Sequence, residues 1–89
     1  MSGPAACTMV TASGAIKASP GMLYAVVLTG SGAAQISVKN GGSGGTEFVG
    51  LRLGGAGSVV FAPPVPIAFG TSLYVTVDAG TVEVAVVYV

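Results

Sequence analysis

Met22-Leu23-Tyr24-Ala25-Val26-Val27-Leu28-Thr29, closed by Gly30-Ser31-Gly32, is the stretch that decides the fold. Val, Leu and Tyr dominate it, and neither Gly nor Pro interrupts it. Such a run between turn residues predicts a β-strand. Its alternate faces are Met22, Tyr24, Val26 and Leu28 on one side and Leu23, Ala25, Val27 and Thr29 on the other. Both are largely apolar, whereas an antiparallel sheet commonly turns one face to water. The second apolar face implies cover by another subunit, or a central position beneath the N-terminal segment.

The same rhythm runs outward in both directions. Ala33–Lys39 alternates cleanly, with Ala34, Ile36 and Val38 inward and Gln35, Ser37 and Lys39 outward. Asn40–Thr46 reads N-G-G-S-G-G-T, a flexible hairpin loop. Glu47–Leu53 follows, with Val49, Leu51 and Leu53 inward and Glu47 and Arg52 near the rim. After the Gly54–Ser58 turn, Val59–Ala62 forms a strand that ends at Pro63-Pro64-Val65-Pro66. Prolines remove ladder donors, so this segment is expected to be an extended crossover between sheets. Ile67–Phe69, Leu73–Asp78 and Thr81–Val89 complete the set, the last with Val82, Val84, Val86 and Tyr88 on one face. Toward the N-terminus, Ser19-Pro20-Gly21 is a turn in which Gly tolerates positive φ, and Ala15–Ala18 is a short strand. No stretch sustains a capped 3.6-residue period, so no substantial helix is expected. Eight or nine short antiparallel strands predict an all-β sandwich. The proline crossover favours jelly-roll or Greek-key order over a meander.

Residues 15–89 are expected to form that single domain, and residues 1–14 a flexible N-terminal arm. The arm is rich in small residues and broken at Gly3-Pro4 and Ser13-Gly14. Thr8–Ala12 has the character of a strand that pairs with a neighbour. Thr8, Met9, Val10 and Thr11 are therefore the candidate contact residues for a second subunit or another partner.

Charge is scarce. Among 89 residues there are three cations (Lys17, Lys39, Arg52) and three acids (Glu47, Asp78, Glu83), so net charge is zero. An average domain of this length carries about 22 charges. The hydrophobic fraction is 52%, with 15 glycines besides. A domain of this size buries only about 60% of its unfolded surface, so its own core is marginal. With so few charges the remaining surface would be sticky, which implies cover by other subunits or a partner. Ser, Thr and Gly serve as the polar surface set. They can be buried against another protein without desolvating a charge, which suits a large permanent contact.

Most chemistry lacks material. There is no His and a single Cys, so metal clusters, Ser-His chemistry and an internal disulfide are not expected. Cys7 has no nearby cation in sequence and reads as a small apolar residue. A basic footprint for nucleic acid is missing, as is Trp. Gly41–Gly45 precedes no helix and no Lys-Ser/Thr pair, so it is a hairpin loop and no phosphate cradle. Gly30-Ser31-Gly32 likewise leads into a strand, and Gln35 breaks the dinucleotide pattern. Glu47, Asp78 and Glu83 show no clustered Ca²⁺ pattern and sit near turns as solvated charges. A glycosidase would need two of them flanking a cleft. Tyr24, Tyr74 and Tyr88 sit among Val and Ala and read as packing residues rather than a sugar platform. No enzyme activity, cofactor or small-molecule substrate is expected. Residues 1–14 hold no Lys or Arg for a basic leader region, and no apolar run reaches the ~20 residues of a membrane helix. A soluble protein made in the cytoplasm, with no membrane partner, is the expectation.

Ala18-Ser19-Pro20-Gly21-Met22-Leu23-Tyr24 with Ala25-Val26-Val27, and the ending Leu73-Tyr74-Val75-Thr76-Val77 and Val82-Glu83-Val84-Ala85-Val86-Val87-Tyr88-Val89, resemble small β-sandwich virion proteins of tailed bacteriophages. These include capsid decoration (cement) proteins and head-fibre or tail-associated β-modules. The resemblance covers about residues 15–89. It implies a jelly-roll subunit that forms homotrimers on the outer capsid surface, binds the major capsid protein and bridges capsomers. It also implies assembly in the host cytoplasm and residence in the virion. The family carries no catalytic residues across. The alternative within the same resemblance is a head-fibre or tail module that attaches to host glycans.

Overall fold

The computed structural model describes residues 6–89. The Gly3-Pro4 break and the first five residues of the expected arm lie outside it. Nine strands follow in order: β1 (Ala6–Val10), β2 (Gly14–Lys17), β3 (Gly21–Gly30), β4 (Ala34–Asn40), β5 (Thr46–Leu53), β6 (Gly57–Phe61), β7 (Ile67–Phe69), β8 (Leu73–Ala79) and β9 (Val82–Tyr88). They form two sheets. One has the order β1-β9-β3-β6, with β7 also on β3; the other has the order β2-β8-β4-β5. Every pairing is antiparallel.

The pairing defines the topology. β6 pairs with Val26–Gly30 of β3 and β7 with Gly21–Leu23 of the same strand, so β6 and β7 are two pieces of one edge strand. Counted as one, the strands pair first with last (β1·β9), second with second-last (β2·β8), third with third-last (β3·β6/β7), and the middle two as the β4·β5 hairpin. That is a long antiparallel ribbon. Rolling it adds the β9·β3 and β8·β4 pairings that close each sheet. The sandwich is a jelly roll.

The proline segment thus has a different role from the one its composition implies. Pro63, Pro64 and Pro66 do not cross between sheets: the chain leaves β3 after Phe61, opposite Val26, and rejoins the same strand at Ile67, opposite Leu23. Prolines are tolerated there because an edge strand has solvent on one side and its missing donors cost no ladder bond. The crossovers between sheets fall at the glycine and serine turns.

β3 also departs from strict alternation. Leu23 pairs with Tyr88 and Ala25 with Val87, leaving Tyr24 as an extra residue in a bulge. A bulge reverses the phase of a strand. Leu23, Val26 and Leu28 therefore all point into the core, at 0% exposure, while Met22, on the expected Val26–Leu28 face, is 46% exposed. The other strands keep the expected phase, with Ala34, Ile36, Val38, Val49, Leu53, Leu73, Val75, Val82, Val84 and Val86 buried. These join Phe69 in one core cluster between the sheets.

Residues 6–10, placed by sequence in an arm, form β1 on the sandwich's own sheet. Five consecutive pairs join it to β9, from Ala6↔Tyr88 to Val10↔Val84. Val10 packs against the core, and the Thr8 and Tyr88 hydroxyls hydrogen-bond at 2.9 Å. Ser13, at the expected arm boundary, accepts the Val77 N–H through Oγ at 2.8 Å. Gly14 begins β2 opposite Val75.

Two glycines are fixed by geometry. Gly21 does not use positive φ; a Cβ there would collide with the Val89 carbonyl, and Met22 exchanges two backbone hydrogen bonds with Val89 at 2.9–3.0 Å. Gly80, in the β8–β9 turn, has φ +85° and sits against the Ala33 carbonyl and the Ala34 Cβ. Gly80→Ala is expected to cost about 1–3 kcal/mol through backbone conformation alone. The collision with Ala33 adds to that. A urea melt should show the loss; an unchanged midpoint would contradict this geometry.

Candidate functional site

The two outer faces of the sandwich differ in chemistry. On the β2-β8-β4-β5 sheet the outward rows are Ala15↔Tyr74↔Lys39↔Glu47, then Thr76↔Ser37↔Gly50, then Ala79↔Gln35↔Arg52. Asp78 is the extra residue of a β8 bulge, and its carboxylate accepts the Ser37 hydroxyl. That bond explains how Ser37 is only 4% exposed on a face turned to water. Arg52 Nη2 donates to Gln35 Oε1 at 3.3 Å, and Lys39 Nζ donates to the Ser43 carbonyl at 3.0 Å. Lys39, Glu47, Arg52 and Asp78 thus all belong to this side, an ordinary solvated surface.

The β1-β9-β3-β6 sheet presents the opposite. Its outward rows are Val89 and Ala68 flanking Met22, then Cys7↔Val87↔Ala25, then Met9↔Ala85↔Val27↔Val60. No residue in these rows is charged. Met9 is 61% exposed, Val60 62%, Met22 46% and Val65, in the adjoining proline segment, 70%. Cys7 is exposed as well. The ten positions in these rows span roughly 300 Å² in projection, from strand spacing and rise. The largest apolar patch of a typical monomer is of this size or somewhat larger, and it is often functional. The next outward row, Glu83↔Thr29↔Ser58, is polar and ends the patch.

A cleft of about 400 Å³ lies at this polar end, lined by Thr11, Thr29, Gly30, Ser31, Thr81, Val82 and Glu83. It is where the β3–β4 and β8–β9 turns meet the end of β1. Four of its seven lining residues carry a hydroxyl and one a carboxylate, but the surface they turn to the cleft is mainly apolar.

The four residues singled out in the sequence do not share one surface. Met9 is in the apolar patch and Thr11 lines the cleft. Thr8 and Val10 point inward, as their Tyr88 bond and core contact show. The alternation of β1 separates them. The acids are likewise divided: Glu47 and Asp78 lie on the charged sheet and Glu83 on the other. Tyr88 is turned between the sheets, while Tyr74 is on the charged outer face. Sequence reasoning missed Val27, Val60, Ala85 and Val87 as members of one patch. The signal that was present was the second apolar face of β3; its partners in the row are set by register, which no local pattern displays.

Fold and patch together define a small jelly-roll module with one charged outer face and one mainly apolar outer face, whose acid, Glu83, lies in the polar row at its end. No family model, curated protein or solved structure matches this chain.

Proposed function

We propose that this is a structural virion protein: a capsid decoration (cement) protein that binds the outer capsid surface of a tailed bacteriophage as a homotrimer and bridges capsomers. The carrying observation is the asymmetry of the two sheets. A charge-free patch of this extent is desolvated cheaply, and stable interfaces have apolar cores with charges at the rim, where Glu83 stands here. The charged face is then the one left toward solvent. Jelly rolls are used in viral shells, although the fold serves other roles too. A protein that binds only the assembled shell stabilises it by mass action, and many equivalent sites add up.

The reading assigns no catalytic role. The glycan-binding alternative needs aromatic rings gathered beside a groove. The cleft beside Glu83 is lined by none of the tyrosines.

The test is the native mass by light scattering, alone and with purified empty capsids. A trimer that co-elutes with capsids is the expected result. A particle that ignores capsids at all concentrations contradicts the reading.

A further inference from the structure

A sandwich of two open sheets has four edge strands, and each exposes unpaired N–H and C=O groups to other chains. Here three of the four are blunted. The β6/β7 edge is interrupted by Pro63, Pro64 and Pro66 between its two pieces. The β5 edge carries Glu47 and Arg52 and a bulge at Phe48, where Val38↔Val49 is followed by Lys39↔Glu47. The β2 edge is only four residues long, with a bulge between Ala15 and Lys17. Short length, charge, proline and bulges are the devices that stop edge-to-edge pairing.

β1, one residue longer than β2, has neither charge, proline nor bulge. Its five residues, Ala-Cys-Thr-Met-Val, contain no charge and no proline, and its register with β9 is unbroken. We propose that β1 is a strand-pairing edge whose occupant is the β1 of a second copy of this chain. The occupant follows from the other edges: among the described residues, the one unblunted edge that a second copy offers is β1 itself. Pairing of like with like is antiparallel and two-fold, and it closes without leaving a free edge to propagate. The register that pairs all five residues is centred on Thr8, placing Cys7 opposite Met9 of the partner copy. Side chains directly opposite one another share a face, so the apolar row through Met9 continues into the partner and doubles in width. No like charges meet across the axis.

This pairing does not rest on the shell-binding reading. It is two-fold and distinct from a three-fold contact; it forms at high protein concentration, where it would join one trimer to the next.

The native chain supplies its own probe, since Cys7 is the sole cysteine. In the Thr8-centred register the two Cys7 residues are diagonal neighbours on one face, about 7–8 Å apart, within reach of a short bismaleimide. The experiment is cross-linking of the full chain, with Cys7→Ser as control, alongside hydrogen exchange of the β1 amides at high and low protein concentration. The expected result is a covalent dimer absent from Cys7→Ser. The β1 amides that face away from β9 should slow by about tenfold or more at high concentration. Absence of the dimer overturns the proposal. So does a dimer whose outward β1 amides still exchange freely, because thiols then meet without strand pairing. Failure of capsid binding leaves both readouts unaffected.

Discussion

Phe69→Ala is expected to destabilise the fold by about 3–5 kcal/mol, the usual cost of truncating a buried aromatic. The total stability of an 89-residue domain is on the order of 4–13 kcal/mol, so this one change removes a large share. Phe69 is the largest fully buried side chain, at 1% exposure. It sits on β7, a strand of three residues that pairs only with β3. The prolines before it and the turn after it leave little local structure to hold that strand, so the ring anchors it. Its loss would open a cavity beneath β7 and release the lower half of the β6/β7 edge. A urea melt with an unchanged slope and a lower midpoint is the expected readout. A loss below about 1 kcal/mol would mean that the core closes without this ring.

Met9→Lys combined with Val60→Lys is expected to lower capsid affinity on the order of 100-fold, because two unpaired ammonium groups would be trapped in an apolar contact. Both residues are more than half exposed in the free protein. Stability should therefore stay within about 0.5 kcal/mol of the parent, as for most surface changes. Arg52→Ser, on the opposite face, serves as the comparison and should leave affinity within about threefold. Co-sedimentation with empty capsids over a concentration series reads the difference. Equal affinities for the double variant and the parent would remove the apolar face from the interface.

Much of the architecture was legible because strand composition and punctuation are local. Ile67–Phe69 was bounded by Pro66 and Gly70, and Val82–Tyr88 by Gly80 and the end of the chain. Period-two alternation put Ile36 and Val38 inward and set Val84 and Val86 on one face without reference to any partner; all four are buried. What was illegible was set by pairing. The bulge at Tyr24 reverses the phase of β3, and nothing in Leu23-Tyr24-Ala25 announces it. The register on β9 imposes it.

The prolines show the same limit. They mark where a ladder must stop, but not whether the chain leaves the sheet or returns to the same edge. Return is decided by β3, which is long enough at Gly21–Gly30 to hold both β6 and β7. β1 was read as an arm because its small residues give a weak local signal; its place beside β9 comes from Thr8–Tyr88 and Val10, contacts nearly the length of the chain apart. For the site, scarcity of charge was visible in composition. The gathering of five of the six charged residues on one sheet, with Glu83 alone on the other, was not, since that depends on which strands share a sheet.

Hydroxyl-radical footprinting of the protein free and on capsids tests the central claim most directly, because Met9 and Met22 report on one face and Tyr74 on the other. The account predicts strong protection of Met9 and Met22 on binding, with Tyr74 oxidised as before. Protection of Tyr74 with Met9 and Met22 still fully reactive would contradict it.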